Sequence, residues 1–228
     1  MYNLYNDLMY NIDIKKEWSN YDKINNKIYI IPFIVNILNL FIYSVNNNNY
    51  KILKYLLKKN KYINPNYYDN YAISIACERG YHKIIKLLLK DERVDPSVDN
   101  NCVIQKACYN GHYKIVKYLS KDERIDQNIN NNRPIKLACT RGHYKIFKYL
   151  LTKTTPKIDP SAEKNYLLHI SAIYGHYKIF KLLIKDKRIN PNVLNGGIVS
   201  INTHGEYHKI DKLLSKYKRL TTTTNFDN

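Results

Sequence analysis

The sequence predicts an all-α solenoid, a stack of helix–turn–helix units, from two repeated motifs and one repeated small residue. The first motif is best preserved as Gly-His-Tyr-Lys-Ile, and its lysine recurs every 31 to 33 residues. These marker lysines are Lys51, Lys83, Lys114, Lys145, Lys178 and Lys209. A motif that recurs six times at one period indicates internal repetition, which is characteristic of solenoids.

The second motif keeps the same period and marks where each unit ends. It is a β-branched residue followed by Asn or Asp and usually by Pro, and it occurs at residues 63–65, 94–96, 125–127, 158–160 and 189–191. A small residue also precedes the marker lysine by seven positions in five units, at Ser44, Ala76, Ala107, Ala138 and Ser171. Small side chains at a fixed position allow two helices to approach closely.

Within one unit, the residues predict two short helices joined by a turn. The first helix covers about residues 71–78 and ends near Gly80, since glycine tolerates the positive φ that reverses the chain. The second helix buries the apolar residues of 84–89 and directs its lysines outward. Pro96 then prevents helix continuation. One such pair buries too little apolar surface to be stable alone, so stability must come from stacking.

This order of features resembles the ankyrin repeat over about residues 36–215. The resemblance rests on Gly111-His112, Gly142-His143, Gly175-His176, the Ala-Cys pairs that begin at 76, 107 and 138, and Leu87-Leu88-Leu89. It predicts units at 36–65, 66–96, 97–127, 128–160, 161–191 and 192–215. Residues 1–35 are then an N-terminal cap or an unassigned segment, and residues 216–228 a disordered tail.

The chain also departs from the family pattern. The family begins its first helix with Thr-Pro-Leu-His, and this chain has no Thr there. We therefore expect four asparagines to cap these helices instead: Asn70, Asn101, Asn132 and Asn165. At the preceding turn tips we expect left-handed residues, including Asn100, Asn131 and Lys164. The family's glycine after the second helix is missing from Lys90–Pro96, which leaves the geometry of that loop open.

The sequence does not predict an enzyme, a metal site or a cofactor. Cys77, Cys108 and Cys139 occupy one repeat position, so neighbours are about 10 Å apart, the spacing of packed helices. That distance is too large for shared zinc ligands. The histidines at 112, 143 and 176 form a similar column, and we interpret them as structural groups that bond to backbone. No constellation of unlike catalytic groups is evident.

Compartment and membrane association are inferred from the cysteines and the N-terminal third. Four cysteines without a disulfide pattern, and no secretory signal, favour an intracellular setting. Residues 28–45 carry no charge, but Pro32 interrupts them and Asn36, Asn39 and Tyr43 form a polar stripe. This pattern favours a packed helix over a membrane span. We also expect a monomer.

The composition points to a source for the chain. Abundant Asn, Lys, Ile and Tyr, together with the loop Lys-Asp-Glu-Arg-Val-Asp-Pro-Ser, resemble the ankyrin proteins of AT-rich, amoeba-infecting giant DNA viruses. A viral origin would place the protein in the cytoplasm of the host cell.

The resemblance implies that a protein partner binds the concave face, which is formed by the turn tips and the exposed side of the first helices. The partner is unidentified, and a host protein is one candidate. The implied residues are Tyr67, Tyr68, Asn70, Glu78, Arg79, Val98, Asp99, Asn101, Tyr109, Asn110, Ile129, Asn130, Asn132, Thr140, Arg141, Ala162, Glu163, Asn165, Ile173 and Tyr174. They differ between units while the scaffold does not, which favours a specific epitope over drift of solvated loops.

A second surface follows from the formal net charge of +18. Each marker lysine has a partner three residues later, and we call the twelve residues the lysine ladder: Lys51, Lys54, Lys83, Lys86, Lys114, Lys117, Lys145, Lys148, Lys178, Lys181, Lys209 and Lys212. The alternative function is binding of nucleic acid or an anionic surface by this ladder on the convex side. Codon bias toward Lys also explains it, and we expect Asp91, Glu92, Asp122, Glu123 and Asp186 to neutralise part of the row.

Overall fold

A computed structural model describes residues 30–59, 63–126, 129–153, 157–194 and 206–223. Its α-helices are α1 Ile30–Asn46, α2 Tyr50–Lys59, α3 Tyr67–Arg79, α4 His82–Leu88, α5 Val98–Tyr109, α6 Tyr113–Leu119, α7 Ile129–Thr140, α8 Tyr144–Lys153, α9 Ala162–Ile173, α10 Tyr177–Leu183 and α11 Tyr207–Thr223. A 3₁₀ turn covers Pro191–Leu194. The described residues contain no strand. The chain divides into two compact units, 1–43 and 44–228, and α1 spans their boundary.

Within 44–228 the helices form two layers. The first helices of successive repeats, α3, α5, α7 and α9, pack side by side in that order. The second helices, α2, α4, α6, α8, α10 and α11, do the same. From α3 to α10, each first helix also contacts the second helix of its own repeat. This arrangement confirms the predicted all-α solenoid.

The core repeats with the same period as the sequence. In one repeat, Ile84, Ile85 and Leu88 of α4 have no exposed surface, as predicted for its apolar face. The predicted small residues are likewise fully buried: Ala76, Ala107 and Ala138 have 0% exposure on α3, α5 and α7. Because these three helices contact one another, alanine at this position permits their close packing.

Three first helices open with a left-handed turn of three residues, at 99–101, 130–132 and 163–165, with φ between 50° and 63°. Such a conformation costs an L-residue about 1–2 kcal/mol, and Asn and Asp tolerate it best among residues with a side chain. Seven of these nine residues are Asn or Asp. The prediction of left-handed tips is confirmed for Asn100, Asn131 and Lys164.

The capping role predicted for the asparagines is wrong at all four positions. Asn70, Asn101, Asn132 and Asn165 have positive φ, whereas an N-cap residue has extended backbone. The side chains of Asn101 and Asn165 reach instead to the end of the repeat: the backbone N–H of Asp126 donates to Asn101 Oδ1 at 3.2 Å. The N–H of Asn190 approaches Asn165 Oδ1 at 3.4 Å in the same way. These asparagines therefore connect the left-handed turn to the loop that closes the repeat.

The loop without glycine is closed by an ion pair. Asp91 accepts from Arg93 Nε at 2.8 Å and from Nη2 at 2.6 Å, while Nη1 donates to the carbonyl of Ile63 in the preceding repeat at 2.7 Å. Arg124 repeats this arrangement with Asp122 and the carbonyl of Val94. We call each Asp-x-Arg pair a clamp; a third joins Asp186 to Arg188.

The C-terminal end differs from the predicted boundary. Helix α11 continues to Thr223, so residues 216–223 are helical where a disordered tail is predicted. The reason is that apolar residues keep the helical period through Ile210, Leu214 and Tyr217. Residues 1–29 and 224–228 lie outside the described part, so the prediction of an N-terminal cap or unassigned segment and that of a disordered tail beyond Thr223 stay predictions. Of the helices in the described ranges, none combines the length and the hydropathy that crossing a bilayer requires.

Candidate partner-binding surface

Four first helices end in exposed residues that form one row. Each of α3, α5, α7 and α9 is followed by a turn with a glycine at positive φ, and the two residues at the end of the helix precede this turn. We call these residues the helix-end strip: Glu78, Arg79, Tyr109, Asn110, Thr140, Arg141, Ile173 and Tyr174. All are exposed except Thr140, which is half-buried.

The backbone of the strip is held by the following repeat. His112 Nε2 donates to the carbonyl of Glu78, and His143 Nε2 donates to that of Tyr109, each at 2.9 Å. His176 donates in the same way to Thr140, and in the last repeat Tyr207 Oη donates to Ile173 at 2.8 Å. The structural interpretation of these histidines is confirmed. His112 and His143 thus each fix the main chain of a residue whose side chain is exposed.

The glycines of these turns are required for a second reason besides their φ. A Cβ added at Gly111 would lie 2.7 Å from His143 Cε1, and one added at Gly142 would lie 2.6 Å from the same atom of His176. The imidazole ring therefore covers the glycine of the preceding repeat. Gly and His form one structural element across the boundary between repeats.

The strip carries exposed apolar surface. The large hydrophobic side chains that stand out as exposed in the described residues are Tyr109, Ile173 and Tyr174, with 43%, 58% and 51% exposure. The guanidinium of Arg141 lies 4.5 Å from the centre of the Tyr109 ring, and Tyr174 stacks on His176. Tyrosine and arginine are the residue types that most often dominate the binding energy of protein interfaces.

The exposed side of the first helices also carries paired charges. Lys106 Nζ bonds to Ser74 Oγ and lies 3.9 Å from Glu78 Oε2, both in the preceding repeat. Lys136 pairs with Glu163 in the following repeat and lies over the ring of Tyr166. Lys106 and Lys136 were not predicted. The sequence could have indicated both lysines in the way it indicated the strip, because each occupies a repeat position at which the residue type changes from copy to copy.

Comparison with known protein families identifies the family to which this stack of helices belongs. The family model described as ankyrin repeats (3 copies) matches residues 40–132, 92–164 and 107–195. This chain belongs to the ankyrin-repeat family. Its repeats therefore have the family's helix pairs, and ankyrin repeats generally mediate protein–protein interaction. None of the curated proteins matches the sequence, so the resemblance to giant-virus ankyrin proteins has no relative to support it.

Most residues that the ankyrin resemblance implies are accessible. Besides the strip, Asp99, Asn130, Ala162 and Glu163 are exposed in or directly before the left-handed turns, and Val98 and Asn132 are half-buried there. We call these six residues the turn strip. The side chains of Tyr67, Tyr68 and Ile129 lie outside the described part of the chain.

Three asparagines of the implied set contribute to the ankyrin scaffold instead. Asn101 and Asn165 are only 5% and 6% exposed, and their Oδ1 atoms face the backbone N–H groups described above. Asn70 is half-buried with φ 62°, and its Oδ1 is buried. A buried side chain cannot contact a partner without unfolding the turn, so Asn101 and Asn165 do not belong to the candidate surface, and the buried Oδ1 of Asn70 is not accessible to a partner either.

Three of the four cysteines of this ankyrin chain are poorly placed for nucleophilic chemistry. Cys77, Cys108 and Cys139 are buried free thiols. Burial raises the pKa of Cys139 to about 12 and raises the pKa of Cys108 even further. The reactive thiolate is therefore scarce at neutral pH. In the ranges that the structure describes, no cluster of His, Cys, Asp and Glu is arranged to hold a metal ion.

Proposed function

We propose that this ankyrin-repeat chain is a non-enzymatic scaffold that binds a partner protein through the helix-end strip and the turn strip. The observation that carries the proposal is the position of the exposed apolar side chains. Tyr109, Ile173 and Tyr174 all belong to the helix-end strip, and they are the large hydrophobic side chains that stand out as exposed in the described residues. An apolar anchor beside polar residues is typical of a protein interface.

Hydrogen bonds to the main chain of the strip also support the proposal. The main-chain carbonyls of Glu78, Tyr109, Thr140 and Ile173 are each held by a side chain of the following repeat. A surface that is already ordered loses less conformational entropy when it binds. The strip therefore supports recognition by a preformed surface, with only side-chain adjustment on binding.

The side chains indicate the chemistry of the partner. Arg79 and Arg141 are exposed at the strip, and Arg141 is stacked on Tyr109 rather than paired with a carboxylate. A partner surface that offers an apolar patch flanked by carboxylates would bury the tyrosine rings and pair the guanidinium groups. Truncation of such a central tyrosine or arginine typically costs about 2 kcal/mol or more in binding free energy.

The proposal is tested by capture from nuclease-treated cell lysate with three forms of the purified chain. These are the wild type, a strip variant, and a control with equal loss of exposed side chain on the second helices. The strip variant carries Tyr109→Ala, Arg141→Ala and Tyr174→Ala; the control carries Lys83→Ala, Lys117→Ala and Lys178→Ala. We expect one discrete protein to be captured by the wild type and the control and to be lost with the strip variant.

The captured protein is then purified and titrated against all three forms. An affinity loss of at least about 30-fold for the strip variant, the equivalent of 2 kcal/mol, supports the proposal. Unchanged affinity of the strip variant, with thermal unfolding like that of the wild type, contradicts it. Loss of affinity only in the control would place the binding site on the second helices.

A further inference from the structure

The lysine ladder is a continuous exposed row. All twelve side chains are exposed. They lie on α2, α4, α6, α8, α10 and α11, and each of these helices packs against the next. Packed helix axes are about 8–10 Å apart, so the row is about 40–50 Å long. All six repeats keep both lysines, whereas the helix-end strip changes from repeat to repeat.

Three of the five carboxylates expected to neutralise this row are engaged elsewhere. Asp91, Asp122 and Asp186 each form their short ion pair with the arginine of a clamp. In the described part of the chain, one ladder lysine has an ion pair, Lys209 with Glu206 at 2.6 Å. The other eleven ammonium groups have no carboxylate within ion-pair distance there. These three aspartates therefore pair with arginines and not with the ladder lysines.

Tyrosine rings lie beneath several of the ammonium groups. Lys54 Nζ is 5.9 Å from the centre of the Tyr50 ring, and Lys181 Nζ is 5.7 Å from that of Tyr177. Lys209 Nζ lies 5.9 Å from the same Tyr177 ring from the neighbouring helix. A ring face attracts the cation without accepting its N–H groups as a carboxylate does. At Lys54 and Lys181 the N–H donors therefore remain available to a bound anion.

A polar cleft lies beside the ladder lysines of α2 and α4. It has a volume of about 560 Å³ and is lined by Asn47, Asn48, Asn49, Tyr50, Lys51, Tyr81, His82 and Lys83. Lys51 and Lys83 thus line the cleft and also begin the row. The cleft extends the basic surface into the groove between α2 and α4.

We propose that the lysine ladder binds the phosphodiester backbone of a nucleic acid. A row of cations with unpaired N–H donors matches a linear polyanion, whereas a compact anion would require converging groups. Such contacts recognise phosphates and carry little base specificity. Helices that bind a membrane surface combine cations with apolar side chains that insert into lipid. The exposed apolar residues named above lie on the first helices, so nucleic acid fits this face better than a membrane.

The test measures binding of the full chain to labelled nucleic acids by fluorescence anisotropy over a range of salt concentrations. The probes are a duplex DNA of about 20 base pairs, longer than the row at about 3.4 Å per base pair, and the corresponding single strand. Vesicles with and without phosphatidylserine are measured in parallel. The ladder variant carries Lys114→Gln, Lys117→Gln, Lys145→Gln and Lys148→Gln. The control loses the same charge on the other layer: Arg79→Gln, Arg133→Gln, Arg141→Gln and Lys164→Gln.

We expect wild type and control to bind with a steep dependence on salt. In the ladder variant the slope of log K against log salt should fall by as much as about 3.6, since each phosphate contact contributes about 0.9. If both variants lost nucleic-acid affinity equally, the effect would be due to net charge alone, and the proposal would be overturned. Absence of nucleic-acid binding by the wild type, or binding to anionic vesicles alone, would also overturn it. Because the probes contain no protein, these results are independent of the helix-end strip.

Discussion

His143 Nε2 donates a hydrogen bond to the carbonyl oxygen of Tyr109, 34 residues earlier, at 2.9 Å. Because a carbonyl only accepts, this fixes the neutral His143 ring in the tautomer that is protonated at Nε2. The bond joins the scaffold to the candidate surface, since the side chain of the same Tyr109 is exposed and stacked by Arg141.

The first prediction concerns this contact. His143→Ala should lower the free energy of unfolding by about 1–3 kcal/mol, because the Tyr109 carbonyl loses its donor and Gly111 loses the ring that covers it. Denaturant unfolding of His143→Ala measures this loss. His208→Ala, at an exposed histidine of α11, is the control and should have little effect.

The second prediction is that Gly111 and His143 are energetically coupled. Gly111→Ala places a methyl group 2.7 Å from the imidazole and requires φ of +79°. In the His143→Ala background the clash is absent, and only the backbone cost of about 1–2 kcal/mol should remain. A double-mutant cycle measures the difference. Strictly additive effects would show that the ring does not restrict this position.

The third prediction concerns pH and the clamps. Arg124 lowers the pKa of Asp122 through its side-chain hydrogen bonds, and Asp91 and Asp186 are affected in the same way. A carboxyl group whose pKa is lower in the folded than in the unfolded state stabilises the fold at pH values above its unfolded pKa, which is about 4. This stabilisation is lost as the pH falls through the folded pKa.

Asp122→Asn should therefore lower the free energy of unfolding at neutral pH by about 1 kcal/mol. It should also make stability less dependent on pH below about pH 4, because one linked carboxyl group is removed. Chemical unfolding at a series of pH values measures both effects. Asp211→Asn, at an exposed residue of α11, serves as the comparison. An unchanged acid profile in Asp122→Asn would contradict the clamp.

The fourth prediction uses two equivalent positions in the left-handed turns. Lys164 has φ of 56° and Asn131 has φ of 55°, and both are exposed. Lys164→Asn should raise the free energy of unfolding by about 0.5–1 kcal/mol, because Asn accepts this conformation more readily than Lys. Asn131→Lys should lower it by a similar amount. Thermal melts of both variants provide the measurement, and a change of the same sign in both would contradict the assignment.

The repeat architecture could be predicted because its markers are residues whose roles are local. Gly111 requires positive φ, and Ile115 and Val116 need a buried helix face, wherever the neighbouring repeats lie. Asn101 could not be assigned in this way. An asparagine before a helix is equally suited to an N-cap and to a left-handed turn. Its contact with Asp126 depends on how the end of the repeat folds back onto the turn, and the residues around Asn101 do not determine that arrangement.

The candidate surface was predicted only in part for the same reason. Tyr109 and Tyr174 are exposed where the ankyrin resemblance placed them, because they follow the register of the repeat. The pairing of Asp91 with Arg93 and the Ile63 carbonyl was not predicted. This clamp can be recognised only when the position of the preceding repeat is known. From the sequence alone, the Asp91 carboxylate is expected to neutralise the nearby ladder lysines.

In the contacts between repeats that the histidines and the clamps make, the later repeat supplies the donor and the earlier one supplies a backbone carbonyl. His143 donates to Tyr109, and Arg124 donates to Val94. A carbonyl is present at every position whatever the side chain. A repeat gained by duplication therefore brings its own donors and finds acceptors already in place. For a new repeat to dock, the repeat before it therefore has to supply only the glycine that the histidine ring covers, because the carbonyl acceptors are present whatever the sequence.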